Sequence, residues 1–477
     1  RAVVPDAPLT EAIRANQAAL LVRHDGDVST AGPATADRSF RDNASTLAAL
    51  DRWGFHDEAA RVLAGYPGRQ QLNGRFGSGR HEWGANGCAL WSLAEHWRLT
   101  HDRPLVDATL DSVARAARWI ERERRATRRH PDVAVRGLLP AVAAAQHRGP
   151  VDHLYGDDLW GIAGLRAAAE LLVAGDQPDA AAAAETAGEA FADDLRASLA
   201  VVAGRLGTAV LPAGPRLPID RAIIGSLVAC EPLRLFAPDD PRIVATLETV
   251  RDRFCVTPPG LGTDDRPAFC LGASPAGLGT DLTLQLAFVE LAAGDRRALD
   301  RFAWLLGAAS PTWTWPGALN RIGLGGCTGD GHHGRATADF LNFTRALLVR
   351  EVGVGTGRGP GTDAPGLALL SLVPDDWLGG DVEVHRAPTW FGTLSYALRW
   401  HGARPALLWE LVPHADHSGP VRLTVPGLDP GWASTEARGE ALLAPVVPSS
   451  GLPKVAAPLV ADRTAAADAP EGGPSFA

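Results

Sequence analysis

The feature that most constrains the fold of this chain is a strict alternation of short and long connections along a run of predicted helices. Apolar residues recur at helical spacing in twelve segments, which are 9–22, 43–53, 57–65, 86–100, 105–125, 158–175, 179–201, 220–236, 241–255, 280–293, 296–307 and 334–350. Tight turns join these helices in pairs at 53–56, 101–104, 175–177, 237–240 and 294–295, and longer segments link one pair to the next. Alternate connections between antiparallel helices lie at opposite ends, so we expect all the long segments on one face. The pattern predicts a mainly α fold, an (α/α)6 toroid of six helical hairpins over residues 1–350.

The amino-acid composition changes after Glu351. Residues 351–365 are rich in Gly, Thr and Pro, which is typical of a linker. Short apolar runs broken by Gly or Pro follow, and several of them alternate with polar residues as half-buried strands do. They predict a C-terminal antiparallel β-domain, sandwich-like, over 366–448. Residues 449–477 are rich in Ala, Pro and Gly, and they predict a disordered tail.

Composition and charge narrow the classes of partner. The chain of 477 residues has a formal net charge of −9, whereas a nucleic-acid partner would normally require a basic face. Its apolar runs are shorter than the roughly 18–20 residues that span a bilayer. It has no basic and apolar leader, so the sequence predicts a cytoplasmic location. The five cysteines are scattered, which predicts reduced thiols, and no cofactor is expected.

Polar and aromatic side chains that suit a sugar concentrate in the long connections. Carboxylates and arginine hydrogen-bond hydroxyl groups in fixed directions, and tryptophan faces stack on the apolar side of a pyranose ring. The candidate substrate-binding residues in these segments are Arg41, Asp42, Trp83, Tyr155, Trp313, Trp315, Asp330, His332 and His333. The candidate acid/base residues are Glu82, Asp157 and Asp158.

Several of these residues also have plainer explanations. Asp42 and Asp158 stand near helix starts and could cap the helices. Tryptophan is more often a core residue than a ligand platform, and core positions are expected for Trp53, Trp91, Trp97 and Trp160, which lie within or at the ends of helices.

Five segments carry a resemblance to a known family. They are Phe40-Arg41-Asp42, Glu82-Trp83 with the following Asn86-Gly87-Cys88-Ala89-Leu90-Trp91, Tyr155-Gly156-Asp157-Asp158-Leu159-Trp160, Pro311 to Pro316 and Gly325 to Gly334. Together they resemble the six-hairpin (α/α)6-barrel glycosidases, in particular bacterial glycogen-debranching and glucoamylase-like proteins, and Ala387 to Gly392 extends the likeness into the β-domain. The resemblance implies inverting hydrolysis of an α-glucosidic bond in an oligo- or polysaccharide. It also implies that Arg41 and Asp42 hold sugar hydroxyls and that Asp157 or Asp158 is the general acid.

The sequence departs from the family's pattern at four positions. Gly317 stands where relatives carry an acid after Trp-Pro, Gly156 where they have an aromatic residue, Gly84 where an acidic residue often follows, and Arg335 where tryptophan is usual. Losing a proton acceptor removes a step that contributes about 10²–10⁴-fold in rate. Glu82, or Asp330 after it, is the substitute base that the sequence offers, with Asp158 as acid and Asp157 orienting it. On this assignment Asp158→Asn and Glu82→Gln should each remove hydrolysis.

Two other functions stay open at this point. Gly317 and Gly156 are compatible with a catalytically weakened relative that binds carbohydrate. Cys327 with His332 or His333 offers a thiolate and imidazoles, which are zinc ligands, although no second ligand pair at recognised spacing supports a metal site.

Overall fold

The computed structural model describes residues 1–22, 24–25, 28–29, 39–77, 82–143, 151–257, 266–273, 276–321, 325–329, 331–353 and 365–446. Most of the predicted linker, the predicted tail and the candidate residue Asp330 lie outside these described residues.

Helices dominate the first part of the chain. The α-helices are α1 Ala7–Val22, α2 Phe40–Arg52, α3 His56–Ala64, α4 Tyr66–Arg69, α5 Ala85–Thr100, α6 Arg103–Arg125, α7 Tyr155–Ala174, α8 Pro178–Leu206, α9 Pro241–Phe254, α10 Thr280–Ala292, α11 Arg297–Gly307 and α12 Gly334–Leu348. Short 3-10 helices occur at Val133–Val135, Arg221–Ala229 and Asp375–Trp377. The mainly α class is confirmed, and eleven of the predicted helices correspond to α-helices.

One predicted helix has a different form. The sequence predicts a helix over 220–236, but the structure has the 3-10 helix Arg221–Ala229 followed by turns. Asp220 accepts a hydrogen bond from the backbone N–H of Ala222 and so begins a tight turn. Pro232 lacks a backbone donor, and an α-helix does not continue through such a residue without loss.

The inner elements contact one another in a closed ring. Going round it, α12 contacts α2, then come α5, α7, the 3-10 helix Arg221–Ala229 and α10, which contacts α12 again. Each inner element is joined or packed to an outer helix, and these partners are α1, α3, α6, α8, α9 and α11. The inner helix α5 buries successive residues from Ala85 to His96, whereas α3 and α11 bury one face. This difference explains the two layers, because an inner helix is packed on all sides and an outer helix keeps a solvated face.

The strands form three larger sheets and two short hairpins. Their bounds are β1 Ala2–Val3, β2 His24–Asp25, β3 Val28–Ser29, β4 Val142–Ala143, β5 Val151–Asp152, β6 Cys255–Val256, β7 Ala268–Ala273, β8 Ala276–Gly279, β9 Ala318–Leu319, β10 Gly326–Thr328, β11 Val349–Val352, β12 Gly366–Leu369, β13 Val382–Thr389, β14 Gly392–His401, β15 Arg404–Pro413, β16 Arg422–Val425, β17 Asp429–Ser434 and β18 Arg438–Leu442. A small sheet in the order β10-β9-β8-β7-β6 is built from the connections between helices.

Two sheets make up the β-domain. One has the antiparallel order β1-β13-β14-β15-β18, and the other has the order β11-β12-β16-β17. The β12–β16 pair is parallel, in contrast to the wholly antiparallel domain that the sequence predicts. Strand β1 pairs with β13, so the first residues of the chain belong to a β-domain sheet although the sequence places 1–350 in the helical region.

The β-domain packs against the C-terminal ends of the inner helices. Strand β13 contacts α2 and α5. Arg345, near the end of α12, donates to the carbonyl of Pro388 at 2.7 Å, and the Tyr396 hydroxyl donates to the carbonyl of Leu348 at 3.0 Å. The ring is therefore covered at this end, and the N-terminal ends of the inner helices lie at the other.

The cysteines and the helix lengths bear on two expectations from composition. None of the five cysteines is in a disulfide, as expected. Among the helices described, none combines the length and the apolar character that crossing a membrane requires.

Candidate functional site

A cavity lies along the axis of the helical ring. It holds about 1080 Å³ of empty space, part of which is open to solvent. One face of α2 lines it through Arg41, Ser45, Ala48 and Arg52, and one face of α12 through Arg335, Asp339, Asn342 and Arg345. The steps of three and four residues are those of one side of a helix. Both helices thus present a polar stripe to the cavity.

An apolar wall faces these stripes. Trp91 of α5 and Trp160 of α7 meet edge to face, with ring centroids 5.6 Å apart, and Ile224, Leu282 and Phe288 extend the wall. The indole N–H of Trp160 has no hydrogen-bond partner among the described residues. Both tryptophans are buried, as the sequence predicts, but they line the cavity as well. An aromatic wall opposite polar groups suits a pyranose ring.

Arg41 and Asp157 form an ion pair at the N-terminal end of the ring. The Arg41 Nη2 to Asp157 Oδ1 distance is 2.7 Å, and Arg41 lines the cavity. Burial raises the pKa of Asp157, while the Arg41 guanidinium opposes the rise. Ser39, not Asp42, caps α2 by accepting from the backbone N–H of Asp42 at 3.4 Å. Arg41 and Asp157 stand in the first turns of α2 and α7, which follow different long connections, so these connections meet at one end.

Glu82 is attached to the start of α2. Its Oε1 accepts from the hydroxyl of Ser39 at 3.1 Å and from the backbone N–H of Arg41 at 3.4 Å. Its charge acts on the pKa of Asp157, where it favours the protonated form. Glu82 thus belongs to the same group of charges as Arg41 and Asp157.

Asp158 is fully buried and does not line the cavity. Its Oδ1 accepts from the backbone N–H of Leu139 at 2.8 Å, and its Oδ2 has no hydrogen-bond partner in the part of the chain that the structure describes. Burial raises the pKa of Asp158 well above its ordinary value. The carboxyl group therefore holds the connection before α7 in place, and it does not cap the helix.

Arg335 is the centre of a second group of charges. Its guanidinium lies 3.6 Å from Asp42, 3.6 Å from Asp281 and 3.4 Å from Asp339. Three carboxylates around one guanidinium leave an excess of negative charge. Because Arg335 also acts on the pKa of Arg41, the two groups of charges share one electrostatic neighbourhood.

Asp339 combines access to the cavity with a shifted pKa. It lines the cavity one turn into α12, and it accepts a hydrogen bond from the Ser45 hydroxyl. Burial raises the pKa of Asp339 to about 6; Arg335 and Ser45 oppose the rise, and Asp281 adds to it. A carboxyl group with such a pKa can give or take a proton near neutral pH.

Tyr155 and Trp83 lie away from the cavity. The Tyr155 hydroxyl is buried and hydrogen-bonds to Ser198 of α8 at 2.7 Å. Trp83 stacks on Trp119 of α6 with ring centroids 5.6 Å apart, and Arg75 lies 5.1 Å from the Trp83 ring. Neither side chain is among the residues that line the cavity.

Trp313 and Trp315 have structural roles. Trp315 is fully buried against Phe340, and its indole N–H donates to the carbonyl of Leu305 at 2.8 Å. Trp313 has a φ of 59°, and its carbonyl accepts from Asn16 at 2.9 Å. They anchor the connection before α12 to its surroundings.

The histidine pair begins α12. His333 caps the helix by accepting from the backbone N–H of Ala336 at 3.3 Å, and His332 is exposed. No group of three or more His, Cys, Asp or Glu side chains that could hold a metal ion occurs among the described residues. The zinc hypothesis based on Cys327 gains no support there.

The three glycines that depart from the family's pattern differ in the space around them. A Cβ atom on Gly84 would lie 2.8 Å from Asp157 Oδ1 and 3.3 Å from Arg41 Nη2, so the ion pair occupies the room of a side chain. At Gly317 the nearest atoms to a Cβ belong to His333, at 3.4 Å or more, and at Gly156 only the carbonyl of Gly225 comes within 4 Å, at 3.7 Å. Gly84 is required by the site, whereas the other two leave space.

Gly84→Ala should disrupt the Arg41–Asp157 pair, because an oxygen 2.8 Å from a new Cβ must move. We expect sugar binding to weaken. Gly204→Ala is the matched control, since a Cβ at Gly204 in α8 meets nothing within 4 Å and alanine favours a helix by about 0.5–1 kcal/mol. Calorimetric titration with maltose, together with thermal unfolding of both variants, tests this expectation. Equal affinity for maltose in both variants would contradict it.

Two carboxylates beside Arg335 are absent from the sequence-based candidates. Asp339 lies four residues after Arg335, a spacing that places both on one helix face. Asp281 stands in the first turn of α10, directly after a long connection, as Asp42 does in α2. The same rule that selects Asp42 could therefore have selected Asp281.

Comparisons with known proteins agree with the architecture. No protein family model matches the sequence, and no curated protein matches it. Among solved structures, a glycosidase variant in complex with glucose has a TM-score of 0.51 and 15% sequence identity over 72% of this chain and 98% of that chain. The glucoamylase from Saccharomycopsis fibuligera has a TM-score of 0.54 and 11% identity over 71% of this chain and 94% of that chain. The GH78 family rhamnosidase of Bacillus sp. GL1 has a TM-score of 0.54 and 12% identity over 84% of this chain and 40% of that chain. The chain thus has a fold that glycosidases share.

Proposed function

We propose that the chain is a glycoside hydrolase that cleaves α-glucosidic linkages of oligo- or polysaccharides by an inverting acid/base mechanism. The observation that carries the proposal is Asp339, a cavity-lining carboxyl group whose pKa is raised to about 6. The fold supports the class of reaction by analogy. The resemblance of segments such as 155–160 to debranching and glucoamylase-like proteins supports the α-glucosidic class.

The cavity offers two kinds of contact to a glucosyl unit. Trp91 and Trp160 supply an aromatic wall, and the free indole N–H of Trp160 supplies a donor. Arg41 stands at the opposite side with its guanidinium, and Asp42 lies 3.6 Å from the cavity-lining Arg335. A guanidinium and a carboxylate suit the hydroxyls of a sugar.

We assign the proton donor to Asp339 and the carboxylate that activates water to Asp157. The donor must hold a proton at the pH of the reaction, and a pKa of about 6 keeps Asp339 protonated in mildly acidic solution. The base must be ionised, and the Arg41 guanidinium at 2.7 Å limits the rise that burial causes in the pKa of Asp157. An inverting pair needs about 6.5–9.5 Å between its carboxyl groups for the water. Glu82 is the alternative base, since it lies in the same group of charges.

Product analysis tests the proposal. The chain is incubated with maltose, isomaltose and longer α-gluco-oligosaccharides, and the anomeric configuration of the released sugar is followed by NMR. We expect β-configured glucose from an α-linked substrate. Release of α-configured glucose would contradict the inverting mechanism, and no release from any α-linked substrate would contradict the hydrolase.

Arg41→Ala should abolish maltose binding, because it removes the forked donor and leaves Asp157 buried without its ion-pair partner. The binding prediction also covers Asp42→Ala, which removes no helix cap because Ser39 caps α2. Arg14→Ala is the matched control, since Arg14 is 59% exposed and pairs only with Glu11 on α1 in the part described. Calorimetric titration with maltose measures the effect, and unchanged affinity in both site variants would contradict it.

A catalytically weakened carbohydrate-binding relative is the second candidate. The observation in its favour is that Gly317 leaves the expected acid position empty while Asp339 and Asp157 are both paired with arginine. Saturable maltose binding without hydrolysis of any α-linked substrate distinguishes this function from the first.

A further inference from the structure

The axial cavity continues well below the carboxylates at its mouth. Asp339 and Arg345 lie six residues apart on α12, which is about 9 Å along the helix axis at 1.5 Å per residue. The lower end is lined by Arg234, Arg345, Arg350, Glu231 and Glu351, together with Arg52. Six charged side chains at one end of a covered cavity are costly unless every one is compensated.

Three of these charges are matched within the chain. Arg345 pairs with Glu351 at 2.6 Å, and Arg52 pairs with Glu95 at 3.1 Å. Glu95 also pairs with Arg98, which takes Glu170 as a further partner. The charges on Arg52, Arg345 and Glu351 are therefore accounted for.

Arg234 and Arg350 are not matched in this way. Arg234 Nε lies 3.8 Å from Oε1 of Glu231, beyond hydrogen-bond distance. Glu231 and Glu351 both act electrostatically on Arg350. Arg350 forms no ion pair within 4 Å with any residue that the structure describes. Arg234 Nη1 and Arg350 Nε are buried donor atoms without a hydrogen-bond partner in the described residues. Burying a charged hydrogen-bond donor without a partner costs several kcal/mol of folding free energy. A bound anion would remove this cost.

The position of Arg234 is also imposed by the surrounding structure. Its φ of 52° is in the left-handed region, which costs a residue with a Cβ about 1–2 kcal/mol. Trp390, just after β13, lies over the guanidinium at 4.8 Å from ring centroid to Cζ. The β-domain thus holds this arginine in place beside the cavity. Burial lowers the pKa of Arg350, Glu231 opposes this effect, and Arg234 adds to it, so an added negative charge would favour both cations.

We propose that the lower end of the axial cavity is an anion-binding site in which Arg234 and Arg350 hold a carboxylate or phosphate group. Guanidinium groups bind both anions through paired N–H donors. The anion is either a free ion or the acidic group of a sugar derivative that enters the same cavity. Glu231 competes with it for the two arginines. The site does not require that the chain hydrolyse a glycoside.

Calorimetric titration of the full chain at low ionic strength tests the site with three probes: inorganic phosphate, glucose 6-phosphate and glucuronate, with glucose as the neutral comparison. We expect saturable binding of at least one anionic probe that is stronger than any binding of glucose. Binding of phosphate would identify a free-ion site, and binding of the sugar acids alone would identify an acidic sugar as the ligand.

Variants assign the binding to the two arginines. Arg350→Ala should weaken it about tenfold or more, as expected for the loss of hydrogen bonds to a charged group. Glu231→Gln should strengthen it, because it removes the competing carboxylate, and a merely structural role of Arg350 would not produce this gain. Arg14→Ala, on the outer helix α1, should change nothing.

The proposal is overturned by absence of saturable binding for all three anionic probes, or by equal affinity in the wild-type chain and Arg350→Ala. Should Arg350→Ala fail to fold, Arg350→Lys and Glu231→Gln carry the comparison, and unchanged affinity in both overturns the proposal equally.

Discussion

Asp339→Asn should remove hydrolysis of α-linked glucosides, with a loss of about 10²–10⁴-fold in kcat. The amide keeps nearly the shape of the carboxyl group and can still accept from Ser45, but it has no proton to give to a leaving group. Binding of maltose should change far less than turnover, because Trp91, Trp160 and Arg41 remain in place. Steady-state kinetics and calorimetric titration on the same preparation separate the two effects.

The pH profile of the wild-type enzyme provides an independent check on Asp339. A proton donor whose pKa is raised to about 6 loses its proton as the pH rises through that value. The kcat/KM should therefore fall on the alkaline side of about pH 6. Asp300→Asn is the matched control, since Asp300 on α11 is exposed and should leave the profile unchanged. A folded Asp339→Asn variant that hydrolyses maltose at the wild-type rate would contradict the assignment.

Much of the architecture can be predicted from the sequence because it depends on chain connectivity. Tight turns force neighbouring helices to run antiparallel, so the alternation of turn lengths already places the long connections at one end. The position of Arg41 follows from the same rule, since it stands where a long connection enters an inner helix. Helices such as α5 that are apolar on all sides are predicted to be inner helices, because an inner helix is packed on every side.

The orientation of individual side chains is harder to predict. Asp157 and Asp158 are adjacent, but neighbouring residues on a helix point about 100° apart. One meets Arg41, and the other meets the backbone N–H of Leu139 in a distant part of the preceding connection. The sequence does not fix the path of that connection, so it does not tell which aspartate points which way.

Burial alone likewise does not distinguish a core residue from a cavity-lining residue. Trp91 and Trp160 are buried as core tryptophans are, yet both line the axial cavity. Asp339 is the converse case. It lies inside a helix and outside the long connections that carry the other candidate residues, although its spacing from Arg335 marks a shared helix face.

Asp158 is expected to contribute to the stability of the fold and not to catalytic turnover. Asp158→Asn preserves an oxygen that can accept from the backbone N–H of Leu139, so the connection before α7 should stay in place and hydrolysis should continue. Asp158→Ala removes the acceptor and leaves a buried N–H unsatisfied, which should lower the free energy of unfolding by about 1–3 kcal/mol. Denaturant unfolding and maltose hydrolysis, measured on both variants, test the two statements together.

The pH dependence of stability separates this role from catalysis. Burial raises the pKa of Asp158 well above its value in the unfolded chain, so the folded protein holds a proton that the unfolded chain releases above about pH 4. The stability contributed by the neutral group is fully present below that pH and is lost progressively as the pH rises toward the raised pKa. Asp158→Asn has no proton to lose, and its free energy of unfolding relative to wild type should therefore improve from pH 5 to pH 8. The contrary result is a folded Asp158→Asn variant that lacks hydrolytic activity while its free energy of unfolding depends on pH as that of the wild type does. That result would identify Asp158, and not Asp339, as the proton donor.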